Sequence, residues 1–483
     1  MTSREDVWVA PAGSIPTLPI PSLTGVGCVH LIGVGGAGMR NLARLLLARG
    51  VQVRGSDLKD SRPLQALRDD GAVVWVGHDA AHIAAARPRP DVVITSSAIR
   101  DGNPELKAAE AAGIAIWRRQ QALAALAAGH RSVAVAGTHG KTTTTSLLAR
   151  ALEHVGRDPS YLIGGDLNET GGGARHGDGD LFVFEADESD GSFLLGKPWT
   201  GVITNIEVDH VDFYPGGLAE IESAFAAFAR RCEGIVACGD DPSVRRALTG
   251  AGAGTVTTYG TGEGVDLRLT VEHLGPDGAR GQVRFEDRTT QLALQIDGPH
   301  NLLNATAVLG VAARAGVSLD AAAEAMASFE GVHRRFELRG TARGAVFYDD
   351  YGHTPTEMAV TIETARRRGP RRLIALVQPH RYPRVQALWR ELGASVASAD
   401  LVVVTDIYGA AQPPIPGVTG RLVADGVTLA APGTRTVYLP HRSDVVAFLA
   451  REIAPGDLVV TMGCGDVWML GDAIQERIAE LDR

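Results

Sequence analysis

The chain reads as an α/β protein of three domains, each built on a parallel sheet flanked by helices, with a phosphate-binding turn in the central one. Three observations predict this. Short apolar runs alternate with amphipathic helical stretches from Cys28 almost to the C-terminus, the pattern of β-α-β units. Two of those runs end in glycine clusters, Gly33-Val34-Gly35-Gly36-Ala37-Gly38 and Gly137-Thr138-His139-Gly140-Lys141-Thr142. A length of 483 residues holds about three domains of ordinary size.

The first domain is expected over 25–128, behind a proline-rich tail (1–24) that reads as disordered and lacks the basic-then-apolar pattern of a signal peptide. Gly27–Val34 is a strand running into the G-x-G-x-x-G cluster. The helix after it carries Leu42, Leu45 and Leu46 on one face, and a second strand, Val51–Arg54, leads to Ser56-Asp57. Glycines with an acid about twenty residues on form a Rossmann-like unit that seats a ribose-pyrophosphate. NAD(P) and nucleotide sugars both satisfy it. Val73–Val76, Asp91–Thr95 and Ile114–Ile116 continue the sheet.

In the second domain, 129–332, strand Val133–Ala136 is followed at once by the turn and a helix. Gly137 and Gly140 let backbone N–H groups point inward, and the helix start adds unpaired donors. Lys141 reaches terminal phosphates and Thr142 offers a hydroxyl to Mg²⁺. The loop is two residues shorter than the usual P-loop, which would place glycine where Val135 stands. Strand Leu181–Phe184 delivers Glu185-Ala186-Asp187-Glu188-Ser189-Asp190 at its carboxyl end, with Glu185 the candidate metal ligand. Gly201–Thr204 leads to His210 at a neighbouring strand end. Alternating segments in 266–297 predict an antiparallel meander. His300, Asn301 and Asn304 open a helix, with the two asparagines on one face and able to bond a base.

The third domain, 333–483, repeats the alternation. Polar clusters follow its strand ends: Asp349-Asp350-Tyr351-Gly352-His353, Gln378-Pro379-His380-Arg381-Tyr382-Pro383-Arg384 and Gly463-Cys464-Gly465-Asp466. Arg381 and Arg384 suit a small carboxylate, because guanidinium holds one through paired hydrogen bonds.

A net charge of −9 gives no reason to expect a nucleic-acid partner, and Arg366–Arg368 with Arg371-Arg372 read as a solvated helix end. No apolar run approaches a membrane span. The four cysteines, Cys28, Cys232, Cys238 and Cys464, form no CxxC pair, which suits a reducing cytoplasm.

Taken together, IGVGGAGM (32–39), GTHGKTTTT (137–145), EADESDGSF (185–193), TNIEVDHVDFY (204–214), HNLLNA (300–305), GVHRRFE (331–337), DDYGHTP (349–355) and PHRYPR (379–384) closely resemble the Mur ligases. The resemblance implies an ATP-dependent ligase with UDP-N-acetylmuramate and L-alanine as partners, Mg²⁺ (or Mn²⁺) as the metal, and a monomer or weak homodimer. It puts the sugar nucleotide on Gly35, Gly36, Ala37, Gly38, Met39, Asp57 and Ser97. ATP falls on Gly137, Thr138, His139, Gly140, Lys141, Thr142, Thr143, His300, Asn301, Asn304, Arg335 and Asp350. Metal falls on Thr142, Glu185 and His210, and the amino acid on Tyr351, His353, His380, Arg381 and Arg384. Lys141, Glu185, His210, Arg335 and Asp350 are the expected catalytic set. Thr354, Gln412 and Cys464 depart from the usual pattern. A relative that attaches a preformed peptide to the same sugar shares the glycine motifs. An NAD(P)-binding oxidoreductase fits the first domain alone but leaves Lys141, Glu185 and His210 without a task.

Overall fold

The computed structural model describes residues 20–96, 99–168, 172–189, 191–210, 213–410 and 412–483. Their strands form three sheets. In the first, the order is Val73–Val76, Gln52–Asp57, Cys28–Ile32, Val92–Thr95, Ala115–Arg118, all parallel. The chain leaves Cys28–Ile32 first to one side and later to the other, and crevices form at such a switch point. Helix Ala37–Ala48 starts at the glycine turn and buries Leu42, Leu45 and Leu46 completely. Each such side chain contributes about 1.5–3 kcal/mol by leaving water.

The central sheet has ten strands. Arg131–Ala136 lies between Thr200–Ile203 and Leu181–Glu185, parallel to both. Three carboxyl ends therefore stand side by side, bearing the glycine turn, the acidic cluster and the segment to His210. The expected meander is present as Leu267–Gly275, Gly278–Phe285 and Arg288–Leu294. It extends the same sheet, joined through the parallel pairing of Tyr259 and Gly260 with Leu267 and Arg268. Helices Lys141–His154 and Pro299–Arg314 bury Leu147, Leu148, Leu302 and Val308 in one apolar cluster.

The third sheet runs Glu337–Ala342, Ala345–Asp350, Asp457–Met462, Arg372–Val377, Leu401–Val404, Arg435–Tyr438, with only the first strand antiparallel. Ala345–Asp350, Asp457–Met462 and Arg372–Val377 are consecutive in it, so their carboxyl ends present the three polar clusters on one edge.

The arginine-rich helix end corrects the sequence reading, because it is not simply solvated. Arg367 meets the buried Asp297 of the central domain at 3.2 Å. Arg366 pairs with Asp400 at 2.7 Å and Arg372 with Asp457 at 2.7 Å, while Arg368 lies over the Tyr348 ring. The helix ends against other elements, so its guanidinium groups find carboxylates there. Further contacts tie the outer domains to the centre: Arg40 to Asp166 at 2.6 Å, Asn41 Nδ2 to the Ile163 carbonyl at 2.9 Å, and Thr356 Oγ1 to Glu207 at 2.6 Å. Among the described residues, no helix is long and apolar enough to cross a membrane.

Candidate active site

The phosphate turn is held from below. Gly137 has φ +137°, and a Cβ there would collide with Thr204 Oγ1. Gly140 has φ +79°, with Asn304 Oδ1 2.7 Å from where its Cβ would stand. Asn205 accepts from the His139 N–H at 2.8 Å and donates to the His139 carbonyl at 3.1 Å, and Thr204 Oγ1 donates to the same carbonyl at 2.6 Å. Helix Lys141–His154 begins directly after, and its N-cap residue is Gly140, which has no side chain to cap the first N–H groups. That is an anion cradle.

Lys141 Nζ donates to the Gly137 carbonyl at 2.6 Å and to both Glu188 oxygens at 2.9 and 2.8 Å. Burial opposes its charge, but Glu188, Asp187 and Glu185 outweigh burial and raise its pKa. Glu185 accepts from the Gly164 N–H at 2.6 Å and from the Thr142 hydroxyl. Burial pushes its pKa up. His210 gathers instead with Asp187 and Glu188, their ligand atoms within 4.8 Å of one another. The expected metal set thus divides into Thr142–Glu185 and Asp187–Glu188–His210, with Lys141 between. Hydroxyl, carboxylate and one imidazole suit a hard divalent cation such as Mg²⁺ or Mn²⁺.

His139 links two domains. Its Nε2 lies 3.1 Å from Glu207 and its Nδ1 3.3 Å from Glu357. Burial alone would lower its pKa, but the two carboxylates outweigh burial and bring it to about 9. A raised histidine pKa contributes stability that is fully present below about pH 6.5 and lost as pH rises through about 9. The His139 NMR titration midpoint is therefore expected near pH 9, and Glu357→Gln should lower it by at least about one unit. A midpoint near 6.5 in the unmodified chain would contradict the bridge.

A cleft of about 630 Å³ opens beside the turn, lined among others by Thr142, Thr143, His300, Asn304, Arg335 and Asp350. Burial and the neighbouring Arg367 and Arg335 lower the His300 pKa to about 4, so the ring is neutral, and its buried Nδ1 has no partner among the described residues. Asn301 is partly committed already, donating to the Asp297 carbonyl at 2.7 Å. Asp350 accepts from Gly352 N, Phe336 N and Thr361 Oγ1 at 2.7, 2.8 and 3.0 Å, which fixes the loop that carries Arg335. Arg335 lies over the Tyr351 ring.

At the third sheet's edge, the Tyr351, His353 and His380 side chains come together, with the rings of His353 and His380 5.5 Å apart. Arg384 is not a free carboxylate seat: its Nη2 donates to both Asp209 oxygens at 2.8 and 3.1 Å, and its Nε to one of them at 3.2 Å. Arg381 Nε is buried without a partner among the described residues, and this residue lines a small cleft with Asp209, His210 and Gln412. Thr354 caps the helix Pro355–Arg367 in a reciprocal box with Glu357, which accounts physically for a hydroxyl there.

In the first domain, Asp57 accepts from Gly35 N at 2.9 Å, so its carboxylate closes the glycine turn. Gly36 and Ala37 are exposed at the helix start, and Gly38 faces Arg119. Met39 is only 3% exposed and packs in the core; its side chain is not on a ligand-facing surface. Ser97 lies outside the described residues. Sequence reasoning assigned no role to Glu188, Asn205, Asp209, Glu357 or Tyr408. Glu357 had a signal, the Thr354-x-x-Glu357 capping box.

An uncapped phosphate cradle flanked by an acidic strand end, set between two further α/β domains, defines a multidomain nucleotide-using enzyme. Family models match in chain order: "Mur ligase family, catalytic domain" at 28–131, "Mur ligase middle domain" at 135–312, and "Mur ligase, glutamate ligase domain" at 334–465. The chain belongs to the Mur ligase family. It is 45% identical over 463 residues to the UDP-N-acetylmuramate–L-alanine ligase of Saccharopolyspora erythraea, covering 94% of this chain and 93% of that protein. It is 42% identical to the ligase of the same name from Desulforamulus reducens, covering 94% and 98%. The crystal structure of the UDP-N-acetylmuramate–alanine ligase of Thermotoga maritima superposes with a TM-score of 0.79 at 27% identity, covering 94% and 99%. A murein peptide ligase from Psychrobacter arcticus gives 0.72 at 26%, covering 94% and 99%.

Proposed function

We propose that this chain is an ATP-dependent ligase joining L-alanine to the lactyl carboxylate of UDP-N-acetylmuramate, acting in the cytoplasm. The observation that carries this reading is the Lys141 ammonium, set between the glycine turn and the acidic strand end. A carboxylate has no leaving group, so it must first be activated. Its oxygen attacks the γ-phosphorus of ATP, ADP departs, and an acyl phosphate forms. The alanine amine then attacks the acyl carbon, the C–O bond to phosphate breaks, orthophosphate leaves, and the amine gives up a proton.

The first step brings two anions together. At about 4 Å and an effective dielectric near 20, each pair of unit charges repels by roughly 4 kcal/mol. Lys141 and the N–H groups of the turn lower that barrier at the phosphate. A divalent cation held by Thr142 and Glu185, with Asp187, Glu188 and His210 alongside, would supply further charge neutralisation. His353 and His380 have pKa values lowered to about 4 and about 2, burial being the largest cause. They are neutral, and suit hydrogen bonding to the incoming amine better than removing its proton. Arg381 meets the alanine carboxylate.

Orthophosphate release tests this. With ATP, Mg²⁺ and UDP-N-acetylmuramate present, release should depend on added L-alanine and be slower with glycine or serine. A preformed peptide should not substitute. Absence of release with L-alanine would overturn the reading.

A further inference from the structure

Three donor side chains with no role in phosphate chemistry meet at the carboxyl edge of the third sheet. His353 follows strand Ala345–Asp350, His380 follows Arg372–Val377, and Cys464 follows Asp457–Met462. Because those strands are neighbours, one ligand atom from each lies within 4.8 Å of the others. A tetrahedral centre needs nitrogen and sulfur donors about 3.3–3.8 Å apart, so movements on the order of 1 Å close the set.

The surrounding groups suit ligation. His353 Nδ1 lies 3.1 Å from the Tyr351 carbonyl. A carbonyl can only accept, so Nδ1 carries the proton and Nε2 presents a lone pair. Fixing one ring nitrogen on a carbonyl is how metal-binding histidines are oriented. Arg384 donates to His380 Nδ1 at 3.0 Å, so that nitrogen is unprotonated and its lone pair is engaged by a guanidinium that an incoming cation would displace. The His380 ring is stacked on Tyr408. The Arg384 charge beside the site is matched by its grip on Asp209. Both imidazoles are neutral at pH 7, the form that binds metal.

We propose that His353, His380 and Cys464 form a site for a borderline-soft divalent cation of the zinc type, and that its occupation excludes the amino-acid acceptor. Two nitrogens and a sulfur select such an ion over Mg²⁺. Binding deprotonates the Cys464 thiol, and the proton goes to solvent. A cation at His380 Nδ1 would take over the lone pair that Arg384 now holds, and it would occupy the two imidazoles that the proposed reaction leaves for the incoming amine. This second half rests on the reading under Proposed function, whereas the binding itself does not.

Co²⁺ is the probe. Titrated into the full-length chain without substrates, it should give one equivalent of tetrahedral absorption with a thiolate-to-cobalt band, bleached by Zn²⁺. Cys464→Ser should remove that band and weaken affinity at least about 100-fold. No thiolate band in the unmodified chain, or the same band in both proteins, would overturn the site. In the phosphate-release assay with Mg²⁺, Zn²⁺ should inhibit competitively against L-alanine. Cys464→Ser, with unchanged activity in Mg²⁺ alone, should need at least about 10-fold more Zn²⁺. Inhibition unaffected by L-alanine would overturn the exclusion. Phosphate release failing altogether while the Co²⁺ spectrum persists would count against the ligase reading and leave the cation site standing.

Discussion

Lys141→Ala should lower turnover at least about 10³-fold, or roughly 4 kcal/mol of barrier, while UDP-N-acetylmuramate affinity stays within a small factor. The ammonium lies on the turn, donating to the Gly137 carbonyl, and the first step concentrates negative charge there. The variant also leaves Glu188, 4% exposed at its side chain, without its counter-ion. Breaking a buried pair on one side is destabilising, by about 3–5 kcal/mol in the usual case, so thermal stability should drop as well. The two effects separate in the double variant Lys141→Ala with Glu188→Gln. It should regain much of the lost stability, because no unpaired carboxylate remains, and none of the turnover. Appreciable ligase activity in either variant would remove Lys141 from the phosphate chemistry.

The parts of the site that follow a strand were legible in the sequence, because an apolar run ending in glycine or acid places those groups at a sheet's carboxyl edge. That logic located the turn at Gly137–Thr142, the acids from Glu185 and the clusters after Asp350 and Val377. It could not say which side chains spend themselves on each other. Nothing in the spacing reveals that Arg384 closes on Asp209, 175 positions earlier, or that His139 is shared between Glu207 and Glu357. Such pairings depend on how domains dock, and docking is invisible to local periodicity. Asp57, twenty residues past the glycines, reads as a ribose ligand; the spacing does not show that one of its oxygens also closes the turn by accepting from the Gly35 N–H. Met39 follows the glycine motif directly, yet helical geometry turns its side chain into the core. Short strands such as Thr255–Gly260 and Arg435–Tyr438 were missed because polar residues interrupt them and neighbouring strands define them.

Gly137→Ala should weaken ATP binding at least about 100-fold, equivalent to roughly 2.7 kcal/mol, and abolish turnover in consequence. Two penalties act together. The backbone sits at φ +137°, a region closed to side-chain-bearing residues at a cost of order 1–3 kcal/mol. The added methyl would also strike Thr204 Oγ1 and stand 3.1 Å from the backbone of Asn205, the two residues that hold His139 in place. The strand beneath cannot yield, since Val133 to Ala136 are fully buried. Relief must come from the turn itself, which moves the N–H groups off the phosphate. Gly129→Ala is the matched control. It also has positive φ, +86°, but nothing among the described residues lies within 4 Å of where its Cβ would stand, so it carries the conformational cost alone and should leave ATP affinity unchanged. Equal loss of ATP affinity in both variants would show that backbone strain, and not the turn's close fit over Thr204 and Asn205, governs the site.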